Sequence, residues 1–225
     1  MAHHHGHDHH DHDHGHGHDG HDHSHDVTPA LQSNLYKQID FDKIITLNEA
    51  ERRSGEGIVK KTWAQRLDEK PELESDADEQ LLMSIPFTGQ TKLHSLLIYS
   101  PPTPSAPKTI KLFRNRPDLD FSTASDLSPT QTLTIPQTLT GSTSDAFEIP
   151  LNRSQFNATT SVTLFFEDNW SDGEEDVTRV LYIGFKGDFT ALNREPVTFL
   201  YEAAANPRDH TIIQGVQGVG RTIGQ

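Results

Sequence analysis

The stretch "ESDADEQLLMSIPFTG", Glu74 to Gly89, changes character halfway along its length. Its first six residues include four carboxylates, and an apolar segment then begins at Leu81 and ends in Pro-Phe-Thr-Gly. Short apolar runs bounded by turn residues are typical of strands, so the second half predicts a buried strand. The acidic half has three possible interpretations: a solvent-exposed segment that only precedes the strand, a surface that binds a partner, or a site for a cation or for acid–base chemistry.

Similar short runs recur along the chain, and β-branched and aromatic residues are frequent in them. Turn-rich breaks separate the runs, and no segment between them is long and periodic enough for a crossover helix. The pattern predicts about eight strands in an all-β fold, an antiparallel β-sandwich of jelly-roll type. The runs are "LLMSIPF", "LHSLLIYS", "TIKLFRN", "QTLTIP", "AFEIPL", "SVTLFFED", "VTRVLYIGFKG" and "PVTFLYEA".

Three other stretches carry weaker signals. The mixed apolar spacing of "LYKQIDFDKIITLNEA" predicts one or two short helical turns, and "GIVKKTWAQRLDE" predicts an irregular segment that packs Trp63 on the domain. The stretch "GFKGDFT", Gly184–Thr190, lacks the spacing of a phosphate-binding loop. Its glycines indicate a turn at the end of a strand.

Residues 1–26 hold thirteen of the fifteen histidines, which alternate with Asp and Gly. Such a segment cannot bury a core, so we expect a disordered tail. Imidazole binds Zn²⁺, Ni²⁺ and Cu²⁺, but a flexible chain defines no geometry, so we expect adventitious metal binding and keep metal delivery as an alternative. The candidate ligands are His3, His4, His5, His7, His9, His10, His12, His14, His16, His18, His21, His23 and His25.

The composition of the chain excludes some kinds of site and disfavours some classes of partner. Outside the His-rich tail the chain still has 27 acidic residues against 19 basic ones, a balance that disfavours nucleic acids and anionic membrane surfaces as partners. The absence of cysteine excludes disulfides, a thiol nucleophile and a Cys-based zinc site. No apolar run is long enough to span a membrane, and no secretory signal is evident. We expect a cytosolic protein, with the nucleus as a second location.

Four stretches taken together resemble the PITH domain, a proteasome-interacting module: "LNEAE", "ESDADEQLLMSIPFTG", "VLYIGFKGDFT" and "YEAAANPRDH". The likeness runs from about Leu35 to His210, and because no Cys-x-x-Cys precedes it, we expect a stand-alone PITH protein. The resemblance implies a β-sandwich similar to galactose-binding jelly rolls and association with the regulatory particle of the 26S proteasome. It implies no catalytic residues, so we expect a non-enzymatic interaction module without a cofactor.

We expect the sandwich domain to occupy residues 27–205, followed by a tail over residues 206–225 that departs from the family pattern after His210. In the acidic stretch, Ser75 followed by Asp78 also fits the cap of a short helical turn, with the carboxylates solvated around it. The candidate partner-binding residues are Glu74, Asp76, Asp78, Glu79, Asn206, Arg208, Asp209 and His210.

The rival hypothesis is a small-ligand or carbohydrate-binding jelly roll, for which Trp170 in "EDNWSDG" is the best candidate because such sites expose aromatics beside polar groups. Trp170 also fits a simple cover for the edge of the sandwich. His94 lies in a strand-like run, which favours a packed sheet residue over a ligand. Neither His94 nor His210 belongs to a recognisable nucleophile motif, so no Ser-His-Asp arrangement is predicted.

Overall fold

The computed structural model describes Met1, residues 32–135 and residues 145–191. The helices in these residues are α1 (Ser54–Lys60) and α2 (Phe121–Asp126), with 3-10 turns at Tyr36–Gln38, Phe41–Lys43 and Trp63–Gln65. The strands are β1 (Ile45–Leu47), β2 (Leu73–Glu74), β3 (Leu81–Tyr99), β4 (Pro107–Arg114), β5 (Gln131–Thr134), β6 (Phe147–Pro150), β7 (Thr159–Asn169), β8 (Arg179–Val180) and β9 (Tyr182–Thr190).

Seven strands form one hydrogen-bonded sheet, and the 19-residue strand β3 links the two layers into which this sheet folds; β2 and β8 form a separate pair. The first part of β3, residues 81–86, pairs with β1 and β7 in a layer of order β1-β3-β7-β4-β5. Its second part, residues 90–99, pairs with β6 and β9. All these pairs are antiparallel, which confirms the predicted all-β sandwich of jelly-roll type.

Pro86 and Gly89 explain why one strand can pass from one layer to the other. The register between β3 and β7 shifts between Pro86 and Thr91, and proline cannot donate a ladder hydrogen bond. A Cβ atom at Gly89 would lie 2.7 Å from the carbonyl oxygen of Thr190, so only glycine fits the close approach of β9 there. "LLMSIPF" and "LHSLLIYS" are therefore one bent strand, and the prediction of two separate strands is wrong.

The main core lies between the two layers and is filled by alternate residues of their strands. On β3, residues 81, 83 and 85 point inward, as the period of two in a strand requires. Fully burying a large aliphatic or aromatic side chain stabilises a fold by about 1.5–3 kcal/mol, so this cluster supplies most of the driving force. Its most buried large members include Phe156, Phe166, Phe185, Ile58, Leu73, Leu81, Met83, Ile85, Leu93 and Leu96.

A second, smaller cluster lies on the outer face of the first sheet, where α2 covers Leu82, Phe113 and Phe165. This helix begins at a capping box, in which the Asp120 carboxylate accepts a 2.7 Å hydrogen bond from the backbone N–H of Thr123. The cap positions the helix so that Ala124 is fully buried against the sheet.

The predictions for two further stretches of the described residues are correct only in part. The helical turns expected within "LYKQIDFDKIITLNEA" are present, although that stretch also contains β1. The segment "GIVKKTWAQRLDE" is not irregular throughout, because it contains the end of α1 and a 3-10 turn that packs Trp63 against Tyr182 with 6.4 Å between ring centroids. The run "PVTFLYEA" lies outside the described residues. No helix within 32–135 or 145–191 is long and apolar enough to cross a membrane.

The stretch "GFKGDFT" is the interior of β9 and not a turn at its end, so that prediction is wrong. Its glycines let neighbouring groups approach the backbone of β9 closely. A Cβ atom at Gly187 would lie 2.3 Å from the carbonyl oxygen of Lys92, and one at Gly184 would lie 2.7 Å from the Tyr182 hydroxyl. These positions require a residue without a side chain because β3 and an aromatic ring occupy the space.

Candidate functional site

The acidic stretch forms a loop between β2 and β3 that is organised by the side chain of Asn48. Its Nδ2 donates to the carboxylate of Asp78 at 2.9 Å and to the carbonyl oxygen of Gln80 at 2.7 Å. Its Oδ1 accepts from the backbone N–H of Ala77 at 3.0 Å. Asn48 has a positive φ of 64°, a conformation that asparagine tolerates better than most residues. One amide group thus defines the shape of the loop.

Ser75 connects the start of the loop to the strand pair β2–β8. It is buried, its backbone bridges Glu49, and its hydroxyl accepts a 2.9 Å hydrogen bond from the backbone N–H of Thr178. The hydroxyl of Thr178 in turn donates to the carbonyl oxygen of Glu79 at 2.6 Å. Ser75 is held in extended pairing and caps no helical turn, so that expectation is wrong.

The four predicted acidic residues have different environments. Glu74 is half-buried and accepts a 2.9 Å hydrogen bond from Nε of Arg179, and Asp78 is engaged by Asn48, so both help to hold the backbone in place. Asp76 is exposed and Glu79, like Glu74, is half-buried, so the ordered frame leaves both Asp76 and Glu79 partly accessible to solvent. In residues 32–135 and 145–191, no three His, Asp or Glu side chains are grouped to hold a metal ion.

The stretch "LNEAE" joins this loop to α1. The Glu49 carboxylate accepts hydrogen bonds from the backbone N–H groups of Arg53 at 2.6 Å and Gly55 at 3.0 Å, which satisfies donors at the start of the helix. The backbone N–H of Ala50 donates to the carbonyl oxygen of Glu74 at 2.9 Å. Asn48 and Glu49 were not among the predicted site residues. The signal for them is a positive-φ-tolerant Asn followed by a capping carboxylate.

Two ion pairs of the buried Glu56 with the more exposed Arg53 and Lys60 complete this frame. Glu56 accepts hydrogen bonds of 2.5 Å from both Lys60 Nζ and Arg53 Nε. The hydrogen bond from Lys60 and then that from Arg53 lower the pKa of the Glu56 carboxyl below its usual range. The pairs connect neighbouring turns of a seven-residue helix that would be too short to persist alone.

His94 and Trp170 have structural surroundings. His94 lies half-buried in β3 beside a register shift, with Nε2 3.0 Å from Oδ2 of Asp188, which confirms a packed sheet residue. The Trp170 indole donates a 2.9 Å hydrogen bond to the carbonyl oxygen of Ile135, and Lys108 Nζ lies 5.0 Å from the ring centroid. The indole donor and ring face are therefore already engaged at the edge of the sandwich.

The other predicted site residues lie outside the described residues. They are the tail positions Asn206, Arg208, Asp209 and His210, together with the thirteen histidines between residues 3 and 25. Their assignments stay predictions.

The fold and the loop define a class of protein: an antiparallel β-sandwich domain that presents carboxylates on a loop held in place by Asn48. A model of the PITH domain family matches residues 25–205 of this chain. The chain belongs to the PITH domain family, as its four diagnostic stretches indicated.

Relatives along most of the chain support this assignment. A PITH domain-containing protein of Schizosaccharomyces pombe is 41% identical over 176 residues, which cover 78% of this chain and 83% of the relative. Human PITH domain-containing protein 1 is 37% identical over 185 residues, which cover 82% of this chain and 83% of the relative.

Solved structures with a similar fold include two Clostridium perfringens modules. One is CBM32-3 from a family 31 glycoside hydrolase, with 15% identity, a TM-score of 0.45, and coverage of 67% of this chain and 95% of the module. The other is the family 32 CBM from NanJ in complex with galactose, with 4% identity, a TM-score of 0.47, and coverage of 68% and 97%.

Proposed function

We propose that this chain is a non-enzymatic interaction module that binds the regulatory particle of the 26S proteasome as an adaptor or regulator. The observation that carries the proposal is the acidic loop held by Asn48 within a domain of the PITH family. The loop needs little further ordering when it meets a partner, so less of the interaction energy is lost to conformational entropy.

The charge of the loop indicates what it contacts. Asp76 and Glu79 are both partly accessible to solvent, and the chain as a whole is acidic with a formal net charge of −14. Such a surface favours a patch of Lys or Arg on the partner, accelerates association and makes binding weaken with salt. The proposal places the protein in the cytosol and nucleus and requires no cofactor. Metal ions on the His-rich tail are incidental to it.

The test is affinity capture of regulatory particles from cell lysate with the full chain, immobilised through an antibody and washed with EDTA so that the His-rich tail carries no metal. We expect the wild-type chain to recover regulatory-particle subunits. The double variant Asp76→Lys, Glu79→Lys should reduce the amount of these subunits recovered by about fivefold or more. The matched control, Glu174→Lys with Asp176→Lys, makes the same charge change on another exposed loop.

Two results would contradict the proposal. One is the absence of regulatory-particle subunits from the wild-type capture. The other is equal loss of recovery in the acidic-loop variant and its control, which would show that overall charge and not this loop determines binding.

A further inference from the structure

A cleft of about 260 Å³ is lined in part by Glu72, the residue that directly precedes β2. We call it the Tyr99 cleft. Its apolar lining comes from Leu67, Tyr99, Pro101 and Leu181, which belong to three separated segments of the chain. It is smaller than the pockets that enclose most small-molecule ligands, about 300–1,000 Å³, so it suits a protruding side chain better than a whole metabolite.

A buried lysine holds the walls of the Tyr99 cleft together. Lys61 is 4% exposed, and its Nζ donates to the carbonyl oxygens of Asp68 at 2.5 Å and Leu181 at 2.8 Å. The backbone N–H of Leu181 donates to the carbonyl oxygen of Tyr99 at 2.8 Å. Burial lowers the pKa of Lys61, because the interior solvates the ammonium less well than water does. The three segments are thus fixed before anything binds.

The rim of the Tyr99 cleft is acidic. Glu69 is exposed there, and the ammonium of Lys70 forms an ion pair with the carboxylate of Glu72. The hydrogen bond that the Lys70 ammonium donates to the Glu72 carboxylate raises the pKa of Lys70, and the charges of Glu51 and Glu74 act in the same direction. Glu69 together with the Lys70–Glu72 ion pair gives the lining of the cleft a net negative charge, so the field at its mouth favours a cation.

We propose that the Tyr99 cleft receives a short extended peptide of a partner protein in which an apolar side chain lies next to Lys or Arg. The apolar residue enters between Tyr99 and Leu181, and the basic residue meets Glu69. The inference rests on the proposed function, since the peptide would belong to the same partner that the acidic loop meets. Glu72 lines the cleft and directly precedes β2, whose last residue, Glu74, leads into the acidic loop, so both surfaces can meet one partner.

The test is selection of random short peptides displayed on phage against the immobilised full chain, in EDTA. We expect the enriched peptides to share an apolar residue adjacent to Lys or Arg. Their affinity, measured by fluorescence anisotropy, should fall about three- to tenfold in Glu69→Lys and stay unchanged in the control Glu174→Lys. Enrichment of no peptides or of acidic peptides, or equal binding by Glu69→Lys and wild type, would overturn the inference.

This selection separates the two proposals. If basic–apolar peptides bind the cleft but the chain captures no regulatory particles, the proposed partner is wrong and the cleft assignment stands. If regulatory particles are captured through the acidic loop but no peptide depends on Glu69, the cleft assignment alone is wrong.

Discussion

Replacing Asn48 by alanine should release the acidic loop. The side chain makes four hydrogen bonds, of 2.9 and 3.2 Å to the carboxylate and carbonyl oxygens of Asp78, 2.7 Å to the carbonyl oxygen of Gln80, and 3.0 Å from the N–H of Ala77. Three of them are exposed, so we expect about 2 kcal/mol for the group rather than a full ~1 kcal/mol each. The φ of 64° adds about 1 kcal/mol of strain for alanine. We expect a total loss of about 3 kcal/mol.

Asn48→Gly separates the two contributions. Glycine also lacks the amide but accepts the positive φ, so it should be about 1 kcal/mol less destabilising than Asn48→Ala. Urea denaturation gives the free energies of unfolding, and hydrogen exchange of the Ala77 amide reports the loop directly. If Asn48→Ala changes the free energy of unfolding by less than about 0.5 kcal/mol and leaves Ala77 protected, the assignment of Asn48 as the organiser is refuted.

Three further predictions concern the frame. Burial raises the pKa of Tyr182 to about 12 from 10.0. The neutral phenol therefore stabilises the fold fully below pH 10, and this stabilisation is lost as the pH rises to 12. In urea denaturation at increasing pH, the free energy of unfolding of Tyr182→Phe should fall by about 2 kcal/mol less than that of wild type. Gly187→Ala should lower the free energy of unfolding by about 3 kcal/mol, against about 1 for Gly173→Ala, which has a positive φ of 89° but open space around it. Lys61→Met leaves two carbonyl acceptors without their donor, so denaturation should show a loss of about 2–3 kcal/mol. An unchanged midpoint in any of the three would contradict the contact concerned.

The strands were predictable because their signal is local. Runs such as "SVTLFFED" are short and rich in β-branched and aromatic residues, and these residues lie in β7, where Leu164 and Phe166 face the main core and Phe165 faces α2. The continuity of β3 was not predictable, since Thr88 and Gly89 have the composition of a turn. Only the approach of β9 shows that Gly89 serves packing. Tertiary contact overrides turn propensity there.

The helices and the site were less accessible to sequence reasoning. Helix α1 contains Gly55 and Gly57, which lower helix propensity. The carboxylate of Glu49, outside the helix, accepts a hydrogen bond from the backbone N–H of Gly55 in its first turn. The acidic stretch was recognised as a candidate surface. Its organiser, Asn48, lies 29 residues before Ala77 in the chain, and no local pattern reports a hydrogen bond of that span.

The central claim is that the acidic loop contacts the proteasome regulatory particle, and carbodiimide coupling of the purified components tests it most directly. This reagent joins carboxylates to amines that are already in contact, and mass spectrometry identifies the joined residues. The account predicts bonds from Asp76 or Glu79 to a lysine of a regulatory-particle subunit, reduced in Asn48→Ala. A complex whose couplings come only from other carboxylates, such as Glu174 and Asp176, would contradict it.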